Sequence, residues 1–222
     1  MIKSFRAVIL GAPGSGKGTI SSRIVRKFEM KHISSGDILR NHILNKTPLG
    51  LDAKKYMDKG QLVPDEVMIG VVLSEIEKSS GNNWLLDGFP RTRKQAEILY
   101  KKAPIDAAMN LVVPFDVIID RIQKRWVHLP SGRVYNIDFN APKTPGLDDV
   151  TGEKLVQRDD DKPESVQKRL DIYSKTLGPV LEFYKEEGIL EEFSGRTSDE
   201  IWPSVFKYLQ SHLTPITQDI KV

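Results

Sequence analysis

The chain has 222 residues, no cysteine, and 33 Lys+Arg against 30 Asp+Glu, a formal net charge of +3 at pH 7. Without cysteine there is no disulfide framework, thiol nucleophile or thiolate-held zinc or iron–sulfur site, and so small a positive excess falls short of a nucleic-acid stripe. No apolar run nears the ~20 residues of a membrane span and Met1–Arg6 has no secretory core, so a soluble intracellular protein is expected, with one insertion-bearing core or two small domains. The four histidines (32, 42, 128 and 212) are too scattered to form a local metal motif.

Arg6-Ala-Val-Ile-Leu10 is a short β-branched run that stops at Gly11, as a buried parallel strand does. Ile20, Ile24, Val25 and Phe28 then recur at helical spacing. Lys31–Ile33 predicts a second strand, and Ser34-Ser-Gly-Asp37 the start of a helix carrying Leu39, Ile43 and Leu44. Pro48 opens a further helix and Gly60 closes it. Pro64-Asp-Glu66 starts another, with Val67, Met68, Val71, Val72 and Ile76 expected on its buried side. Strands are predicted at Trp84–Leu86 and Met109–Val113 and, more weakly, at Ile189–Phe193. Helices are predicted at Arg93–Lys102, Phe115–Arg125, Pro163–Glu187 and Ser198–His212, and the last ten residues read as a frayed tail. This alternation argues for a parallel sheet covered on both faces. Residues 127–161 break it with prolines, glycines and short β-type runs. A small inserted β lid is expected there, burying Val127, Val134, Tyr135, Ile137 and Phe139.

Gly11-Ala-Pro-Gly-Ser-Gly-Lys-Gly-Thr19 fits Gly-x4-Gly-Lys between a strand and a helix, the phosphate-loop pattern. Glycines let backbone N–H groups turn inward onto a phosphate, the helix start adds its positive end, and Lys17 supplies a charge. Gly18 replaces the usual hydroxyl residue after the lysine, with Thr19 next, so direct hydroxyl ligation of Mg2+ is in question. A dinucleotide fingerprint would need glycine at position 19.

With this loop the sequence resembles the adenylate kinases and related nucleoside monophosphate kinases. The resemblance continues through Ser34-Ser-Gly-Asp-Ile-Leu-Arg40, Gly60-Gln-Leu-Val-Pro-Asp65, Leu86-Asp-Gly-Phe-Pro-Arg-Thr92, Ser131-Gly-Arg-Val-Tyr135, Arg158-Asp-Asp-Asp161 and Lys168-Arg169. It implies an α/β fold: a P-loop NTPase-type parallel sheet with helices on both faces, a helical NMP-binding insertion and a small β lid. The implied division is a core of residues 1–33, 64–123 and 162–222, an NMP-binding segment 34–63 and a lid 124–161.

By the same resemblance the nucleoside triphosphate is held by Gly14, Ser15, Gly16, Lys17, Gly18, Thr19, Arg121, Arg125, Val134, Tyr135 and Thr197. AMP is held by Ser35, Arg40, Gln61, Leu62, Val63, Gly88, Phe89, Pro90, Arg91, Gln95, Arg158 and Arg169. The implied catalytic set is Lys17, Asp87, Arg91, Arg125, Arg158 and Arg169, with Mg2+ arriving on the nucleotide and water around it oriented by Asp87. Arg121 and Arg125 are expected at i,i+4 on one helix face, Asp160 and Asp161 as anchors for the arginines or as a hinge, and Gln95 as a reader of the purine edge. Magnitudes favour function for such arginines: an exposed ion pair contributes about 0–1 kcal/mol, a transition-state arginine roughly 10³–10⁵ in rate.

Some relatives hold the lid with two Cys-x2-Cys zinc pairs. Here those spacings read His128-x2-Ser131 and Asp148-x2-Thr151, which implies a hydrogen-bonded polar cluster and no structural metal. The short N-terminus, full-length lid, Phe193-Ser-Gly195 and Ile201-Trp-Pro203 resemble most the mitochondrial-matrix branch that phosphorylates AMP from GTP or ITP. An ATP:AMP kinase, cytoplasmic or otherwise, is the alternative. UMP/CMP kinases have a shorter lid, and a binding module without turnover is opposed by the retained Lys17 and arginines. The expected partners are these nucleotides acting on a monomer, with no nucleic acid and no membrane insertion.

Overall fold

The computed structural model describes residues 4–158 and 161–216. Its centre is a five-stranded, all-parallel sheet. The strands are β1 (Arg6–Gly11), β2 (Lys31–Ser34), β3 (Trp84–Asp87), β4 (Ala107–Val112) and, after the two lid strands β5 (Arg125–Val127) and β6 (Val134–Asn136), β7 (Leu190–Ser194). They lie in the order β2-β3-β1-β4-β7. The central strand β1 pairs with β3 through Ile9 opposite Asp87 and with β4 through Gly11 opposite Leu111.

Alternation along β1 sends Ala7 and Ile9 to one face and Val8 and Leu10 to the other. The first face is covered by α1 (Lys17–Phe28), α6 (Phe115–Gln123) and α8 (Ser198–Gln210) through Ile20, Ile24, Ile118, Ile122, Ile201 and Val205. The second is covered by α4 (Asp65–Glu77) and α5 (Arg93–Lys102) through Met68, Val72, Ala96 and Leu99. The long helix α7 (Pro163–Glu186) serves both, with Val166 and Leu170 on the first face and Val180, Phe183 and Tyr184 on the second. Each such aliphatic side chain contributes about 1.5–3 kcal/mol by leaving water, and the α/β architecture is as expected.

Between β2 and α4, helices α2 (Ser35–Leu44) and α3 (Pro48–Met57) pack as a tight pair, capped by Ser34 and Thr47. Gly50 makes the close approach possible: a Cβ there would lie 2.1 Å from the His42 carbonyl oxygen. Gly50→Ala must push the two backbones apart, at a cost of about 1–3 kcal/mol. Scanning calorimetry is expected to show melting several degrees lower for a chain of this size.

Four details differ from the sequence reading. The helix starting at Phe115 ends at Gln123, so Arg125 begins β5 and is not one helical turn from Arg121. What stops the helix is pairing of Arg125–Val127 with Val134–Asn136, a contact periodicity does not report. In the lid, Val127 and Tyr135 are buried, but Val134, Ile137 and Phe139 are exposed: Val127 lies between Val134 and Val156, whereas Val134 is on the outer strand and Ile137 and Phe139 lie in the turn after β6. On α4 only Met68 and Val72 of the expected stripe are fully buried. Beyond α8, the Ile216 N–H donates to the Lys27 carbonyl, so that part of the expected frayed tail is tied to α1; residues 217–222 lie outside the described chain.

Candidate active site

Ligands in open parallel sheets bind outside the carboxyl ends of the strands, and there β1 runs into the glycine loop. Gly14 and Gly16 have φ of 81° and 87°. A Cβ on Gly14 would lie 2.7 Å from Ile122 Cγ1, and one on Gly16 2.7 Å from Ser198 Oγ. Helices α2, α3, α5 and α8 carry Ser or Thr side-chain caps, whereas α1 is capped by left-handed Gly16 with no side-chain bond. The N–H groups of its first turn therefore remain for an anion. Gly18 and Thr19 in that turn are exposed, and Ser15 is buried with no hydrogen-bond partner for its hydroxyl.

Lys17 reaches back over the loop, its Nζ donating to the carbonyls of Gly11 at 2.7 Å and Ala12 at 2.9 Å. Burial pushes its pKa down to about 8; the positive charges of Arg91, Arg169 and Arg125 push the same way and Asp87 opposes them. Four members of the expected catalytic set therefore lie within electrostatic reach of Lys17. Asp87 ends β3, with His32 Nε2 3.8 Å from its Oδ2.

The arginines are held by carboxylates. Arg125 makes a two-pronged ion pair with Asp161, which also accepts from Arg169 Nη1 at 3.4 Å. Asp161, with its side chain only 2% exposed, is thus an arginine anchor; Asp160 lies outside the described residues. Arg121 donates to the carbonyls of Gly14 at 3.4 Å and Arg196 at 2.7 Å, and its guanidinium lies 5.1 Å from the Phe139 ring centroid. It therefore joins the glycine loop, the lid and the start of α8, where Thr197 is the cap.

A cleft beside the loop is lined by Lys17, Ser35, Arg40, Gln61, Leu62, Val63, Gly88, Phe89, Pro90, Arg91, Gln95 and Arg169. That gathers every expected AMP residue except Arg158, which acts on Asp37 across the site. Asp37 loses solvation, which favours its neutral form, but Arg40 overrides this and holds the carboxyl below its ordinary range, helped by Ser34 and Arg158. Arg40 Nε donates to Asp37 Oδ1 at 3.2 Å. Gly88 allows close contact: a Cβ there would be 2.7 Å from Ser35 Oγ.

The inserted β segment reaches α2, where a Cβ on Gly132 would lie 3.9 Å from Asp37 Oδ1. Val134 is exposed, and the Tyr135 hydroxyl is engaged inside the lid, donating to Asp148 Oδ1 at 2.9 Å and accepting from the Asp149 N–H at 2.9 Å. His128, Ser131, Asp148 and Thr151 form a polar cluster: His128 Nδ1 lies 2.6 Å from Ser131 Oγ and Thr151 Oγ1 donates to Asp148 Oδ2 at 3.0 Å. Arg133 donates to both oxygens of buried Asp148 and holds its carboxyl far below the usual range. Among the described residues no group of three or more His, Cys, Asp and Glu is placed to hold a metal ion, and no helix is long and apolar enough to cross a membrane.

Several residues of the site escaped sequence reading. Asp65 bonds Gln95 and Thr92, Asp37 holds Arg40, and Met57, Ile172, Tyr173 and Thr176 line the cleft. For Asp37 a signal existed, its i,i+3 spacing to Arg40. For the α7 residues none did, since an apolar stripe reads as core.

The family model described as adenylate kinase matches residues 9–189. The chain is 50% identical over 211 residues to the Drosophila melanogaster mitochondrial GTP:AMP phosphotransferase, covering 95% of this chain and 98% of that protein. It is 45% identical over 221 residues to a Saccharomyces cerevisiae protein of the same name, covering 95% and 94% of the two chains. The S. cerevisiae S288c protein of that name is 46% identical over 212 residues, covering 91% and 94%. A glycine loop, an arginine-lined cleft and matches that run the length of the chain agree: this chain belongs to the adenylate kinase family.

Proposed function

We propose that the chain catalyses reversible transfer of the γ-phosphoryl group from GTP, or ITP, to AMP, giving GDP and ADP. The observation that carries this reading is the convergence of Lys17, Arg91, Arg125 and Arg169 with Asp87 between the glycine loop and the cleft. Phosphoryl transfer needs alignment and charge neutralisation more than covalent chemistry, and these cations supply it. GTP as donor is supported by the names of the relatives, as is residence in the mitochondrial matrix.

In this reading the α1 N-terminus and the loop N–H groups seat the donor's β- and γ-phosphates, and Lys17 exchanges its carbonyl partners for them. Arg121 and Arg125 reach the donor from the lid side, with Val134, Tyr135 and Thr197 beside them. Arg40 and Arg91 grip the acceptor phosphate, and Arg158 and Arg169 span both nucleotides. Residues 34–63 act as the acceptor-binding unit and 124–161 as a lid on the remaining core. Closure excludes water and so suppresses hydrolysis of the donor.

The donor set also suits Mg2+ carried by the nucleotide. One carboxylate at a strand end, with Thr19 exposed in the first turn of α1, fits an ion held mainly by phosphates and water. When bound it neutralises charge on the phosphate oxygens. Asp87 would orient its water ligands.

Initial rates with AMP and each of GTP, ITP, ATP and UTP test the reading. Transfer is expected fastest with GTP. Faster turnover with ATP would overturn the donor assignment, and no transfer with any donor would overturn the activity.

A further inference from the structure

We propose that Asp65 fixes the orientation of the Gln95 side-chain amide and thereby makes the acceptor site select a 6-amino purine monophosphate over a 6-oxo one. This rests on the reading of the Gln95 cleft as the acceptor site and adds a determinant of its specificity. A glutamine amide has a donor end and an acceptor end, and taken alone it can present either. Gln95 has no such freedom. Its Nε2 donates to Asp65 Oδ1 at 2.7 Å, and its Oε1 accepts from the Arg91 backbone N–H at 2.7 Å.

The two partners have opposite and fixed polarity. An ionised carboxylate only accepts and a backbone N–H only donates. Turning the amide over would set Oε1 against the carboxylate and the NH2 group against the N–H, exchanging two bonds for two repulsions. Gln95 is 2% exposed, so water does not compensate. Asp65 is itself anchored: its second oxygen accepts from Thr92 Oγ1 at 3.1 Å, and that hydroxyl caps α5 by accepting from the Gln95 N–H at 3.2 Å. The lock thus joins the first residue of α4 to the first turn of α5, 30 positions apart in the chain.

One N–H of Nε2 and one lone pair of Oε1 remain. Adenine matches this pair, its 6-amino group donating to Oε1 and a neighbouring ring nitrogen accepting from Nε2. On either edge of a 6-oxo purine, the oxo group sets an acceptor against the Oε1 lone pair. A site built to satisfy hydrogen bonds discriminates strongly when they are mismatched.

The test compares AMP, purine riboside 5′-monophosphate (hydrogen at C6) and IMP as acceptors, with GTP as donor and kcat/KM as the readout. A locked amide predicts the order AMP, then purine riboside monophosphate, then IMP, since hydrogen only forfeits a bond whereas oxygen adds repulsion. An amide free to turn would place IMP above the purine riboside nucleotide, and that order in the wild-type enzyme overturns the lock. Asp65→Asn can offer Gln95 either a carbonyl or an NH2 group. It is expected to raise the IMP:AMP ratio of kcat/KM about tenfold, chiefly through KM; a merely structural Asp65 would lower both substrates together. A ratio within twofold of wild type in a variant that melts normally also overturns the proposal, and if the variant does not fold, the wild-type order decides. Failure of AMP to accept phosphate from any donor would instead overturn the acceptor-site reading on which the lock depends.

Discussion

Lys17→Met is expected to lower phosphoryl transfer by about 10³-fold or more while leaving the circular dichroism spectrum and the melting transition near those of the wild type. The rate loss follows from removing a preorganised charge at the transferred group. The fold survives because methionine replaces the buried stem with a similar apolar chain. Only the ammonium bonds to Gly11 and Ala12 are lost, and their carbonyls already belong to the loop. Activity that persists would remove Lys17 from the transfer step.

The lowered pKa of Lys17 gives a second readout of the same residue. Near pH 8.5 much of the nucleotide-free protein holds Lys17 neutral, since its pKa is about 8. Phosphates favour the ammonium form, so GTP binding is expected to take up a proton there and to take up almost none near pH 6.5, where Lys17 is already charged. Calorimetric titration in two buffers of different ionisation enthalpy measures that uptake, and Lys17→Met should abolish it. The sign for folding is also fixed. Between about pH 8 and 10.5 the unfolded chain binds more protons at Lys17 than the native one, so this residue's contribution makes stability rise with pH across that window.

Asp161→Ala is expected to cost about 3–5 kcal/mol of stability, the usual result of removing one partner from a buried ion pair, and to lower kcat about 10²-fold through misplaced arginines. Asp161 holds Arg125 from the lid strand β5 and Arg169 from α7. Two guanidinium groups left without it repel each other where the phosphoryl group must pass. Asp161→Asn keeps the size without the charge and should fall between the two. Thermal melting checks the first effect and steady-state kinetics the second; kcat within threefold of wild type for Asp161→Ala would show that the arginines keep their places without it.

Much of the site was legible because its physics is local. A strand run, a glycine loop and a helix stripe lie within Arg6–Phe28, and each part constrains the backbone by itself. The helix from Arg93 to Lys102 was legible for the same reason, with Thr92 as its cap. Illegible features depended on partners far along the chain. Nothing between Gln123 and Arg125 breaks a helix; β6 ends it by claiming Arg125–Val127 as its partner. Phe139 reads as lid core by composition, but it lies exposed over Arg121 in the turn after β6. Gln95 reads as a reader of the purine edge, but only the packing of α4 against α5 brings Asp65 to its amide.

The opening composition keeps its weight in this light. The absence of cysteine already excluded thiolate chemistry, and the glycine loop pointed to a phosphate site, because those properties reside in residue types and short spacings. The tertiary structure alone decided where the charges act. It placed carboxylates from distant segments against the arginines, buried Lys17 enough to lower its pKa, and committed the Gln95 amide to one orientation. Ion pairing, desolvation and hydrogen-bond polarity depend on neighbours brought together by folding, and no window of the sequence contains them.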